Sequence, residues 1–170
     1  APVIRPRVST QLDFEGELAV VIGRSGRHIA AEAALDHVAG YSIYNDVSVR
    51  DWQRHAQQIA SGKYFVGTGP FGPWMVTADE IANPSGLALH TRLNGETVQA
   101  SNTARLIFGV PELIAYCSTI FDLVPGDVLV TGTPAGAGFT RKPPLYLKPG
   151  DRIEVEIENI GTLSNNVIDE

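Results

Sequence analysis

Residues 13–23 read Asp13-Phe14-Glu15-Gly16-Glu17-Leu18-Ala19-Val20-Val21-Ile22-Gly23. Every second residue from Asp13 to Glu17 is acidic, and an apolar run from Leu18 to Ile22 follows directly. The β-branched content of that run and its closing Gly23 predict a strand that enters a core. Side chains of a strand alternate between two faces, so Glu15 and Glu17 share one. Gly16, between them, leaves the opposite face open to close approach by other parts of the chain. Two carboxylates side by side repel, so next to a core they need a cation, or one of them must hold a proton. A hard divalent metal with oxygen ligands answers that need. The same alternation also marks the solvated face of a half-exposed strand, and this stretch alone leaves both readings open.

The chain has 170 residues, enough for one domain with a sizeable core. With 44% apolar and 19% charged residues it has an ordinary globular composition. A net charge of −6 disfavours nucleic acid and anionic membrane as partners, since both require basic surface. No apolar run approaches the roughly 20 residues of a membrane span, and no signal peptide is visible. The single cysteine, Cys117, excludes an internal disulfide and fits a reducing, cytoplasmic setting. Seventeen glycines and eleven prolines point to many tight turns and a strand-rich fold. Residues 1–12, which open Ala-Pro-Val-Ile-Arg-Pro-Arg, read as a connecting segment ahead of a single domain over 13–170.

Outward from the acidic stretch, residues 17–23 and 27–29 are expected to pair as a hairpin across Arg24-Ser25-Gly26. Ala30 to Val38 is expected to form a short helix, with His37 at the surface or capping its end. Tyr41 to Tyr44 reads as a buried strand that delivers Asn45-Asp46. A short helix then starts near Ser48, the expected N-cap, and places Arg50 and Gln53 on one face. Gly67 to Trp74 reads as a Gly/Pro-rich loop and Met75 to Thr77 as a strand. Asn94-Gly95 is a strong hairpin turn between strands at 87–93 and 96–99, with His90 on the polar face. Thr103 to Phe108 is apolar, and Pro111 opens a helix to about Cys117. Two Pro-Gly-Asp turns, at 125–127 and 149–151, lead into strands at 128–130 and 153–157. Glu154, Glu156 and Glu158 repeat the acidic alternation, but without an apolar run behind them they read as a solvated face.

These motifs stand in a fixed order. It runs from the acidic strand through Gly40-Tyr-Ser-Ile-Tyr-Asn-Asp-Val-Ser-Val-Arg-Asp-Trp-Gln53, Gly62-Lys-Tyr-Phe65, Gly69-Pro-Phe-Gly-Pro-Trp74 and Leu93-Asn-Gly-Glu96 to Pro125-Gly-Asp-Val-Leu-Val-Thr-Gly-Thr-Pro-Ala-Gly136. The ordered set closely resembles the catalytic domain of the fumarylacetoacetate hydrolase family, from about Asp13 to the end of the chain. The resemblance implies a mainly β (α+β) fold, a mixed β-sandwich or roll with a few short peripheral helices. It implies Mg²⁺ or Mn²⁺, with Ca²⁺ as a stand-in, held by Glu15, Glu17 and Asp46. Arg50, Gln53 and Lys63 fall on its catalytic and substrate-binding positions, and Thr133 on a loop that closes the site. A homodimer is the assembly it implies. Two departures stand out. No lid segment with the family's His and Glu precedes Asp13, and His28, His37, His55 and His90 match no catalytic position. Val66 stands where many relatives place an Asp soon after the Gly-Lys pair.

The expected reaction is hydrolysis of a carbon–carbon bond in an acylpyruvate or related diketo acid, by way of an enolate that the metal stabilises. Arg50 or Lys63 would face the developing negative charge. Decarboxylation or isomerisation of a 2-oxo-enedioate uses the same electron sink and is the first alternative. A catalytically silent metal-binding module is the second.

Overall fold

The computed structural model describes residues 1–170, and its backbone passes through eleven strands and one α-helix. In chain order the strands are β1 (Val3–Arg5), β2 (Leu12–Asp13), β3 (Gly16–Ile22), β4 (Val38–Asn45), β5 (Ser48–Val49), β6 (Phe71–Thr77), β7 (Ala88–Leu93), β8 (Glu96–Asn102), β9 (Val128–Val130), β10 (Arg152–Ile157) and β11 (Gly161–Asp169). The helix α1 (Val110–Ile120) lies between β8 and β9, with Pro111 in its first turn. Five strands form one sheet in the order β1-β11-β10-β7-β8, four form a second in the order β6-β4-β3-β9, and β2 pairs with β5. The architecture is mainly β, as the motifs led us to expect.

The two larger sheets face one another across a shared core. Leu18, Val20 and Ile22 of β3 and Tyr41 and Ile43 of β4 pack with Leu89, Val155, Ile157 and Leu163 from the other sheet. Full burial of an aliphatic side chain of this size contributes about 1.5–3 kcal/mol, so this layer supplies most of the driving force for docking the sheets. A second core, with Val3, Leu12, Phe14, Val47, Leu147 and Ile153, lies beneath the acidic stretch. Val3 is part of it and β1 pairs in parallel with β11, so the opening residues belong to the sheet rather than only connecting to it.

Some local expectations are corrected. Residues 17–23 make no hairpin with 27–29. Instead β3 runs antiparallel between β4 and β9, and Gly26 bridges to Leu123. A run apolar on both faces is most stable in the middle of a sheet, and residues 27–29 are too short to cover it. Ala31–His37 is helical, but as a 3₁₀ helix. His37 is buried, not at the surface. Its Nδ1–H donates to the Arg24 carbonyl at 2.9 Å and its Nε2 accepts from Arg24 Nη2 at 3.1 Å, which closes the loop between them. Ser48 caps no helix. It lies in β5, and Asp51 is the N-cap of the turn Trp52–Arg54. Residues 71–74, expected in a loop, belong to β6, which lies at a sheet edge where Pro73 removes no central ladder bond. The hairpin at Asn94-Gly95 forms, and β8 extends to Asn102.

Gly16 lies where β3 meets β7 and β10 of the other sheet. A Cβ there would collide with Thr91 Oγ1 and the Val155 side chain. Gly16→Ala is therefore expected to cost about 1–3 kcal/mol, the usual range for overpacking. Urea denaturation measures it, and an alanine variant as stable as wild type would show that the sheets can move apart.

Candidate metal centre

Register brings the acids together. In the β3–β4 ladder Gly16 pairs with Asn45 and Glu17 with Tyr44, so Asp46 leaves β4 at the level where Glu15 enters β3. Backbone bonds secure the crossing, with Asp46 N–H donating to Glu15 O at 2.8 Å and Glu15 N–H to Asn45 Oδ1 at 2.9 Å. Glu15, Glu17 and Asp46 each present a carboxylate oxygen within 4.8 Å of the others. The two segments singled out in the sequence thus converge. Three carboxylate oxygens without sulfur or imidazole suit a hard dication such as Mg²⁺ or Mn²⁺. Asn45 Nδ2, beside the cluster, is the one buried side-chain donor or acceptor that lacks a partner.

Two cations are drawn in. Lys63 Nζ donates to Glu15 Oε2 at 2.8 Å and to Asp46 Oδ2 at 2.7 Å, which leaves its third N–H for another acceptor. Lys63 is therefore no ordinary surface amine. Arg50 is 4% exposed. Its Nη2 donates to Glu15 Oε1 at 2.6 Å, its Nη1 to Gln53 Oε1 at 3.0 Å and its Nε to Asp13 Oδ2 at 2.8 Å. The Phe139 ring covers the guanidinium, 4.2 Å from its carbon to the ring centroid. Three of five donors are thus committed within the protein. Arg50 lies in the turn between β5 and the 3₁₀ helix, not on a helix face with Gln53, and meets Gln53 by that direct bond; this arginine is enclosed, and what it visibly holds is Glu15.

Asp13 and Gln99 were not singled out from the sequence. Asp13 is fully buried and accepts from the backbone N–H groups of Phe14, Gly138 and Phe139 as well as from Arg50. It ties the loop bearing Phe139 to the arginine beneath it. The acidic alternation already contained Asp13, and its position just before the ligand pair was the available signal. Gln99 comes from β8, and nothing local in the sequence marks it. Thr133 lies on the loop after β9 and contacts the backbone between the acids, not the acids themselves. Its Oγ1 donates to Gly16 O at 3.1 Å and accepts from Gln99 Nε2 at 2.9 Å. Next to it, Gly132 has φ +95°, a conformation that glycine adopts without strain, and its N–H donates to Glu17 Oε2 at 2.6 Å. Thr131, Gly132 and Thr133 also wall a groove of about 410 Å³ whose floor includes Leu18, Leu89 and Phe108; none of the three acids lines it. Val66 is exposed and away from these contacts.

Burial is the main reason that the Glu17 carboxyl is pushed up to about 7 from 4.5; the Gly132 N–H opposes it, Asp46 and Glu15 raise it further, and Lys63 opposes. Burial, then Asp46 and Glu17, also push the Tyr44 phenol upward. In both groups burial leads and the neighbouring carboxylates add to it, and that added negative charge is what a dication would offset.

Three carboxylates thus converge at one end of the β3–β4 pair, on the face of β3 opposite the core-facing Gly16 and Leu18, a donor set of the kind that metal-assisted enzymes offer a divalent cation. The fumarylacetoacetate (FAA) hydrolase C-terminal family matches residues 1–168, and the chain belongs to that family. The rat protein named oxaloacetate tautomerase Fahd2a, mitochondrial, is 47% identical over 167 residues, 98% of this chain and 53% of that protein. The chain thus spans about half the length of this relative. A fumarylacetoacetate hydrolase structure from *Exiguobacterium antarcticum* matches with TM-score 0.95 and 45% identity, over 99% of this chain and 61% of that one. A fumarylpyruvate hydrolase from *Pseudomonas aeruginosa*, in complex with Mn²⁺ and pyruvate, matches with TM-score 0.90 and 32% identity, over 99% and 71%.

The Glu17 shift yields a pH test on chelator-stripped protein. Between the unfolded value of 4.5 and the folded value of about 7, the folded state binds more protons at Glu17 than the unfolded state. The stability due to this carboxyl is therefore fully present below the lower value, falls as pH rises, and is lost above the upper one. Relative to Glu17→Gln, wild type is expected to lose on the order of 3 kcal/mol between about pH 4 and pH 8. Parallel urea-stability profiles for the two proteins would refute it.

Proposed function

We propose that the protein is a divalent-metal-dependent tautomerase of a 2-oxo diacid such as oxaloacetate, using Mg²⁺ or Mn²⁺. The observation that carries this reading is the triad of Glu15, Glu17 and Asp46 with Lys63 bonded across two of its members. The name of the 47% identical rat relative supports the choice of reaction. Interconversion of keto and enol forms moves one proton from the carbon next to the carbonyl to the carbonyl oxygen while the double bond shifts from C=O to C=C, with no other bond made or broken.

Glu15, Glu17 and Asp46 would hold the ion, which supplies Lewis acidity toward a carbonyl oxygen when bound. Lys63 directs its third N–H at an oxygen of the substrate and offsets the negative charge that develops there. Arg50, enclosed by Asp13, Gln53 and Phe139, keeps Glu15 oriented. Thr133 and the Gly132 N–H fix the side of the site next to the groove, where a substituent on the substrate would lie.

A second reading, hydrolysis of a carbon–carbon bond in an acylpyruvate, is favoured by one observation: the fumarylpyruvate hydrolase with Mn²⁺ and pyruvate shares this fold at 32% identity. It would add attack by water on the distal acyl carbonyl, after which the bond from that carbon to the methylene breaks and pyruvate leaves as its enolate, with the electron pair taken up at the 2-oxo oxygen that the ion would polarise.

The two are separated by following the enol absorbance of oxaloacetate and, in parallel, the consumption of an acylpyruvate. With Mg²⁺ or Mn²⁺ present the protein is expected to accelerate enol decay, and chelator to abolish the acceleration. Lys63→Met should retain Mn²⁺ binding and lose about 100-fold or more in kcat, the scale of a group acting on the transferred proton or its charge. Metal-dependent acylpyruvate cleavage with no effect on oxaloacetate would establish the second reading instead. A Lys63→Met protein that no longer binds metal would make Lys63 a support of the cluster alone.

A further inference from the structure

Gln99 is 2% exposed and uses its whole hydrogen-bonding capacity. Its Oε1 accepts from Thr91 Oγ1 at 2.8 Å and from the Gly16 N–H at 3.1 Å. Its Nε2 donates to Thr133 Oγ1 and to Pro134 O, both at 2.9 Å. The residue stands in the five-stranded sheet, while three of these four partners' residues lie on β3 or on the loop after β9. A register break puts it there. Thr91 pairs with Gln99 but Arg92 pairs with Thr97, so Val98 is an extra residue on β8. In a regular strand Val98 and Gln99 would face opposite ways, yet both are buried. A bulge re-aims one side chain in this manner, and here it aims an amide across the gap between the sheets.

What the amide holds is specific. Gly16 separates Glu15 from Glu17. Its N–H goes to Gln99 and its C=O accepts from Thr133 Oγ1, which Gln99 in turn holds. Both ends of the segment between two proposed ligands are thus set by one side chain, directly or through Thr133. The same amide anchors Pro134, close to Gly132, whose N–H reaches Glu17. We infer that Gln99 is a positioning residue of the metal centre: through Gly16 and Thr133 it sets the spacing of the Glu15 and Glu17 carboxylates and the placement of the loop that caps Glu17. The role rests on the metal-dependent reading above.

The test is Mn²⁺ affinity, read from the EPR signal of the free ion, together with kcat and KM for oxaloacetate and the melting temperature. Gln99→Glu keeps the shape but turns two donors into acceptors facing Pro134 O and Thr133. Gln99→Met keeps the length and removes every bond. Thr133→Val, at a half-buried position, breaks the link from its other end and guards against a Gln99 variant that does not fold. Ile157→Val, in the core between the sheets, is the control for lost stability alone.

The Gln99 and Thr133 variants are expected to bind Mn²⁺ at least tenfold more weakly, the scale for groups that orient ligands, with KM rising alongside. Ile157→Val should lower the melting temperature and leave both unchanged. Folded Gln99 variants, or Thr133→Val where neither folds, that bind Mn²⁺ within about twofold of wild type overturn the role, since ligand-orienting groups count for more than that. If wild type binds no Mn²⁺, the metal reading falls and this role with it. If wild type binds Mn²⁺ but leaves oxaloacetate unchanged, the reaction assigned above falls while the affinities still decide the role of Gln99.

Discussion

Four carboxylates in one connected network, those of Asp13, Glu15, Glu17 and Asp46, constrain everything around them. Two cations, Arg50 and Lys63, bridge Asp13, Glu15 and Asp46, while Glu17 adjoins the cluster and accepts only the Gly132 N–H. With every group ionised the network keeps two negative charges in excess, the charge of one divalent cation. A buried carboxylate without a partner carries a desolvation penalty of several kcal/mol, and Glu17, the most buried of the ligand triad, shows it in its raised pKa. That penalty equals the burial of only one or two aliphatic side chains. The core between the sheets holds seventeen buried residues, so the fold tolerates the crowding without being organised to relieve it.

The architecture explains how such crowding is kept in place. Glu15 and Asp46 flank the ends of paired strands, and Glu17 lies inside one of them. Their backbones are therefore held by ladder bonds, not by loops. The flanking loops then supply N–H donors: Gly138 and Phe139 to Asp13, and Gly132 to Glu17. At Glu17 that donor opposes the upward shift that burial causes, without adding a side-chain charge. Gly132 can approach Glu17 because its positive φ is free of Cβ strain. The opposite sheet contributes no charge at all at this point, only the amide of Gln99 and the hydroxyl of Thr91.

Much of this was readable from the chain because it is local. Alternation put Glu15 and Glu17 on one face and the strand at 41–44 delivered Asp46, while Arg50 and Gln53 meet through a turn and not through the helix expected from Ser48. The turn at Asn94-Gly95 and the helix opened by Pro111 rest on single residues with strong backbone preferences. What escaped depends on contacts distant in sequence. The edge strand at 71–77 carries Pro73, which locally signals a loop, and only its position at the rim of a sheet makes it acceptable. The partners of β3 are chosen by burial on both faces, which a window ending at residue 29 does not reveal. Gln99 is set by a bulge whose presence follows from pairing between two strands, not from either one alone. The ordered motifs carried the family, while the enclosure of Arg50 needed Asp13 and Phe139, one upstream and the other far downstream.

The enclosure of Arg50 has a chemical consequence. A guanidinium with three donors committed to Asp13, Glu15 and Gln53 and its face on Phe139 cannot follow a substrate through a reaction. It is a fixed charge that keeps Glu15 turned one way. Lys63 differs, because an ammonium on a flexible stem keeps one N–H free while bonded to Glu15 and Asp46. The site therefore divides its cations into one that holds the scaffold and one that can meet negative charge as it forms. Such a division suits any reaction that begins by drawing electrons toward a carbonyl oxygen. Isomerases and hydrolases both occur among the proteins that share this fold, with TM-scores of 0.91 and 0.90 for one of each. On this chain the groove walled by Thr131, Gly132 and Thr133 adjoins that site without being lined by any of its three acids.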